Sequence, residues 1–168
     1  GRLAEAEAEL DPRAREMMRG MLFTASGSID QKHLRRMMEL PKTAKFLDGI
    51  VQPEALPAWL SQEDLDVYVA EFERTGFRGG LNWYRNIDRN WELLRPFAGM
   101  RVQVPALYVA GERDLVLAFP GAKEMVANLK ASVPLLAETI ILPGCGHWTQ
   151  QERPAEVNAA MLGFLRRL

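Results

Sequence analysis

The sequence predicts an α/β fold: a helical first part, then alternating strands and helices that build a parallel sheet. Three observations carry this expectation. Before about Leu94 apolar residues recur at helical spacing and almost no strand pattern occurs. Two short apolar runs, at residues 102–111 and 138–144, read as strands buried on both faces. Each run is followed by a helical pattern, and strand–helix–strand–helix implies parallel pairing with right-handed crossovers. The chain therefore divides into a helical region, 1–95, and an α/β region, 96–168.

Asp11-Pro12 reads as a helix start, because Asp can accept from free amides and Pro has no amide to leave unpaired. Ala14, Met17, Met18, Met21 and Leu22 then mark one helix face, which Gly20 weakens. Residues 24–60 are broken by Gly27, Pro41, Gly49, Pro53 and Pro57, so short helices and loops are expected there. Ser61 with Asp64 resembles a capping box ahead of the stripe Leu65, Tyr68, Val69, Phe72. Thr75-Gly76 ends that helix, and the "FRGG" that follows reads as a flexible turn. In 76–97, Leu81, Tyr84, Ile87, Asp88, Trp91 and Leu94 fall near one helical face, on which Tyr84 reads first as a packing aromatic. After the first strand, Phe119, Ala122, Met125, Val126 and Leu129 share a helix side; the last helix begins around Pro154 and presents Val157, Ala160, Met161, Phe164, Leu165 and Leu168.

Composition removes several functional classes. Of 168 residues, 48% are hydrophobic and 26% charged, which excludes a disordered or low-complexity chain. Lys plus Arg number 21 and Asp plus Glu 22; the net charge of −1 provides no basic field for nucleic acid. No apolar run approaches the roughly 18 residues that span a bilayer. One cysteine, Cys145, allows no internal disulfide and suits a reducing compartment, so a cytoplasmic location is expected. With His33 and His147 the only histidines, a Cys/His zinc site is not expected, and no cofactor is indicated. His33 in "QKHLRRMM" reads as a surface residue, and Met17, Met18, Met21, Met37 and Met38 as a Met-rich packing region. The chain opens at Gly1 with no Met and no signal pattern, and two strands fall short of the usual five or six or so. It is therefore expected to be the C-terminal part of a larger α/β protein, or one half of a split one.

In parallel sheets, ligands bind beyond the carboxyl ends of the strands. "GERD" places Asp114 just past the first strand and "GCGH" places His147 just past the second. A carboxylate can hold an imidazole in one tautomer, so that its other nitrogen takes a proton. An Asp in this position also serves as a turn former or cap, and a His in a Gly-rich loop can be structural. Cys145 beside His147 suggests a Cys–His nucleophile, but adjacent side chains point apart, and that reading is set aside.

"FRGGLNWYRNIDRNW", "VPALYVAGERDLVL" and "CGHWTQQERPAEVN" together resemble the C-terminal half of soluble epoxide hydrolases of the α/β-hydrolase fold, a resemblance extending over the whole chain. It implies that 1–95 is most of an all-helical lid and 96–168 the C-terminal part of the hydrolase core. Tyr84 matches one of two lid tyrosines that polarise an epoxide oxygen, Asp114 the triad acid and His147 the base that activates water. Ile87, Val116, Leu117 and Trp148 are implied pocket walls for a small epoxide. In the family a different Asp attacks the epoxide and forms an alkyl ester that water then hydrolyses to a diol without a cofactor. The chain contains no such elbow, no oxyanion loop and no match for the second tyrosine; neither Tyr68 nor Tyr108 has the context. Those parts are expected upstream, in the same polypeptide or a second chain, and a homo-oligomer is compatible with the sequence. The competing expectations are another α/β-hydrolase, such as a haloalkane dehalogenase or an esterase, and a non-catalytic fragment that binds a partner through its sheet edge.

Overall fold

The structure is a computed structural model that describes residues 2–30, 32, 33, 40, 41 and 43–168; Met37 and Met38 lie outside the described residues. It divides into two compact units, Gly1–Thr24 with Ile29–Pro96, and Ala25–Ser28 with Phe97–Leu168.

The first unit is helical. Helix α1 (Arg2–Leu10) passes through a 3-10 turn, Asp11–Arg13, into α2 (Ala14–Thr24). Asp11-Pro12 thus opens the helical turn that leads into α2, as expected, with α1 ahead of it. The Asp11 carboxylate accepts the Phe77 amide at 2.9 Å. Ala14, Met17, Met18 and Leu22 face the core as their spacing predicts. Gly20 is not a weak point but a point of contact. A Cβ there would overlap the side chains of Ile50 and Gln52, so the glycine lets the 50–52 segment lie against α2. Glu9 accepts the amides of Phe46 and Leu47, both at 3.0 Å, and anchors the 3-10 turn Leu47–Gly49.

Helix α3 (Gln62–Thr75) opens with the expected capping box. Ser61 Oγ accepts the Asp64 amide at 3.0 Å while Asp64 accepts the Ser61 amide at 3.2 Å. Leu65 and Val69 are the buried rungs that pack on α2, and Gly76, at φ 66°, ends the helix. The "RGG" of "FRGG" is helix rather than turn. Phe77, buried and stacked on Phe72 at 4.6 Å, precedes α4 (Arg78–Arg85), which contains both glycines. The burial of Phe77 and the Asp11 bond to its amide fix the entry, and the two glycines follow it passively. A break at Asn86 separates α4 from α5 (Ile87–Leu93), so the apolar series from Leu81 to Leu94 lies on two short helices. Arg85 reaches Glu7 of α1 at 2.5 Å.

The second unit contains β1 (Ala106–Gly111) and β2 (Leu136–Leu142), paired in parallel, with α6 (Ala122–Ala127) and α7 (Leu129–Ser132) in the crossover. The strands are shorter than, or offset from, the apolar runs that predict them. Neither is buried on both faces: Ile141 is exposed, and β1 is fully covered only at Ala110 and Gly111. Only two strands pair among the described residues, so each is an edge strand. The single predicted helix after β1 is divided among a 3-10 turn, Leu115–Ala118, and α6 and α7, with Ala122 the one buried member of its expected side. Two helices close the chain, α8 (Thr149–Glu152) and α9 (Pro154–Leu165), the latter starting at Pro as expected. Leu142, Cys145 and Val157 form the core here, with Val109 and Ile140 against them. No helix among the described residues is long and apolar enough to cross a membrane.

Candidate active site

Pairing in parallel places the carboxyl ends of β1 and β2 side by side. The register runs evenly from Leu107 opposite Glu138 to Gly111 opposite Leu142, so the two chain exits emerge together. Asp114 follows the first exit and His147 the second.

Asp114 caps the 3-10 turn Leu115–Ala118: its Oδ1 accepts the Val116 amide at 2.8 Å and lies 3.0 Å from His147 Nδ1. An ionised carboxylate only accepts, so the bridging proton is assigned to Nδ1 and the lone pair to Nε2. That leaves Nε2 free to act as a base. The acid is the more sheltered partner, with 13% of its side chain exposed against 39% for the imidazole. The cap role and the bond to histidine, alternatives in the sequence, are both performed by the same oxygen.

The loops bearing this pair are held mainly through backbone. The amides of Glu112 and Arg113 donate to Leu142 O and Cys145 O at 2.9 and 2.8 Å. Glu112 in turn accepts the Gly144 amide at 2.9 Å. The His147 amide donates to Ala25 O at 2.8 Å, which brings the Ala25–Ser28 segment into the site. Arg113 Nη1 donates to Gly27 O at 2.9 Å. Contact is so close that a Cβ on Gly146 would overlap the backbone of Ser26 and Gly27, and one on Gly111 would overlap the carbonyls of residues 145 and 146.

Five of the seven residues singled out in the sequence belong to this second unit. Asp114 and His147 are bonded to each other, Val116 and Leu117 direct their amides at Asp114, and Trp148 sets its ring edge-on to the imidazole at 5.0 Å. Tyr84, in the last turn of α4, and Ile87, the first residue of α5, belong to the helical unit, with 65% and 59% of their surfaces exposed. Tyr84 is therefore not a core aromatic of that unit. Cys145 is fully buried, and burial, with a smaller contribution from the charge of Glu152, pushes its thiol up to about 11. Its sulfur stays protonated at neutral pH, contrary to what a nucleophile requires. His33 is exposed, as expected.

Glu112, Arg113, Glu152 and the 25–28 segment also build the site, although the sequence pattern does not single them out. Glu112 and Arg113 stood within the "GERD" motif that drew attention to Asp114. Glu152 had one available signal, its place four residues after Trp148, one helical turn on. Nothing in the pattern around Ala25 announces its contact with residues more than a hundred positions away. Among the described residues, no three of His, Cys, Asp and Glu are grouped to hold a metal ion.

The sequence pattern of the alpha/beta hydrolase family matches residues 4–160. Epoxide hydrolase A of Mycobacterium tuberculosis is 44% identical over 160 residues, covering 95% of this chain and 48% of that protein. The crystal structure of epoxide hydrolase A from Mycobacterium thermoresistibile superposes with a TM-score of 0.85 at 46% identity, covering 96% of this chain and 48% of that one. An epoxide hydrolase from an endophytic Streptomyces gives 0.88 at 38% identity, with the same coverage. The chain spans about half the length of these relatives. Parallel strands preceded by helices fit these matches: the chain belongs to the alpha/beta hydrolase family and resembles its epoxide hydrolases.

Proposed function

We propose that this chain is the lid (1–95) and the C-terminal core (96–168) of an epoxide hydrolase, with the attacking carboxylate supplied by sequence preceding Gly1 or by a second chain. The observation that carries the reading is the 3.0 Å bond between Asp114 and His147 beyond two adjacent parallel strands, which leaves Nε2 free. In the proposed cycle an Asp oxygen attacks one epoxide carbon and the C–O bond opens. The departing oxygen takes a proton from the Tyr84 phenol, giving a hydroxyalkyl ester. His147 Nε2 then removes a proton from water as the water oxygen adds to the ester carbonyl. Collapse of the tetrahedral species passes the added hydroxyl's proton to the leaving alkoxide, regenerating the carboxylate and releasing a vicinal diol; Asp114 stabilises the transient imidazolium, whose proton returns through solvent to the Tyr84 phenolate. Ile87, Val116, Leu117 and Trp148 are assigned to the walls of the substrate cavity, and the protein is assigned to the cytoplasm.

Mass spectrometry of the intact protein after mixing with an epoxide tests this. In His147→Gln the protein should gain the mass of one epoxide and keep it, whereas Tyr84→Phe should gain it slowly and lose it at the normal rate. Turnover by a protein that never carries the adduct would exclude the covalent route. Ester formation unaffected by Tyr84→Phe would remove the role given to that phenol.

A further inference from the structure

We propose that Glu152 is a positioning residue for His147, fixing the imidazole by holding the peptide groups on both sides of it. The proposal rests on the reading of His147 as the base. Glu152 ends α8, is only 9% exposed, and directs its carboxylate back under the histidine loop. Oε2 accepts the amides of Gly27 at 2.8 Å and Gly146 at 3.0 Å; Oε1 accepts the Trp148 amide at 3.2 Å. Amides 146 and 148 bracket residue 147, whose own amide is bonded to Ala25 O. Three consecutive amides are thereby fixed, two of them by one rigid group.

The imidazole needs such support. Its side chain is 39% exposed, and a single bond, from Nδ1 to the sheltered Asp114, leaves the ring's position to the backbone that carries it. With the flanking peptides fixed, the backbone at residue 147 sets the direction of the side chain, and the bond to Asp114 then selects the tautomer. Carboxylate chemistry is required rather than mere volume. A glutamine of the same shape presents one NH₂ group, and wherever that group lies it faces an amide N–H, donor against donor.

Glu152→Gln, Glu152→Asp and Glu156→Gln in the intact protein test the proposal; Glu156, half exposed on α9, controls for the loss of charge. NMR of ¹⁵N-histidine-labelled protein follows the Nδ1 proton shared with Asp114, and single-turnover kinetics separate ester formation from ester hydrolysis. In Glu152→Gln the Nδ1 proton signal should disappear and ester hydrolysis slow by on the order of 100-fold, the scale of a small displacement of a catalytic group, with ester formation retained. Glu152→Asp should recover part of the hydrolysis rate, and Glu156→Gln should match the unmodified protein. An Nδ1 signal and a hydrolysis rate unchanged in Glu152→Gln would overturn the proposal. So would equal loss of both chemical steps, or failure of both Glu152 variants to fold, since each marks a role in the fold alone. If the unmodified protein forms no ester with any epoxide, the proposed function falls, and the NMR result alone decides the positioning role.

Discussion

Replacing Gly146 by alanine tests how the histidine loop is built. The added methyl would overlap the Gly27 nitrogen and the Ser26 carbonyl carbon and come within 2.7 Å of the Ala25 carbonyl oxygen. All three are backbone atoms, so no side chain can swing aside to relieve the overlap. The 25–28 segment must retreat, which breaks the bond from the His147 amide to Ala25 O and the bond from the Gly27 amide to Glu152. A neutral backbone bond contributes about 1 kcal/mol and one to a charged acceptor about 1.5–3 kcal/mol. Ala25 and Ser26, now fully buried, are also exposed to water. The expected loss is therefore about 3–4 kcal/mol, measured by urea unfolding of the intact protein. Gly79→Ala is the control: nothing lies within 4 Å of the new methyl, and alanine inside α4 should gain about 0.5–1 kcal/mol. A Gly146→Ala protein destabilised by less than about 1 kcal/mol would mean that the segment does not lie against the histidine loop.

Under the proposed cycle, Asp114→Asn should slow ester hydrolysis by roughly 100-fold or more in single-turnover assays, because a neutral amide whose oxygen stays on the Val116 amide no longer stabilises the imidazolium by charge. Cys145 should resist a thiol reagent at pH 8 until the protein unfolds. Its folded thiol titrates at about 11 instead of 9.0, so the stability it contributes is complete below pH 9 and lost as the pH rises toward 11. Urea titrations at stepped pH should show that loss, and Cys145→Ala should lack it. Ser61→Ala should cost about 1 kcal/mol by removing the cap of α3. The Ser61 hydroxyl and amide also hold the Asp64 carboxyl below its usual range, so its contribution to α3 is present above pH 3.8 and lost as the pH falls through the lowered value. Amide exchange in the first turn of α3 reports both effects.

Features legible in the sequence share a short range. Ser61 and Asp64 are three residues apart, Pro154 needs only the residues after it, and each strand shows in a single apolar run. Asp114 and His147 were also readable, because parallel pairing forces the ends of consecutive strands together. The misread or unseen features depend on partners distant in the chain. The Asp11 carboxylate accepts the Phe77 amide, 66 positions away, which no local reading shows. "FRGG" resembles a turn because two glycines outweigh, in any local reading, the buried ring that precedes them. Gly20 looks like a flaw when the 50–52 segment is out of view. Glu152 is one ordinary acid among 22 until Gly27, 125 residues earlier, is found against it.

The irregularity in strand pairing lies between Ala106 and Leu107, at the entry to the sheet, and the rungs beyond it are even to Gly111 and Leu142. Slack and exactness are thus assigned to opposite ends. Insertions ahead of either strand can be absorbed where the ladder already slips, and evolution can lengthen those connections freely. One residue gained between 111 and 114, or between 142 and 147, finds no such buffer and would move acid and imidazole out of mutual reach.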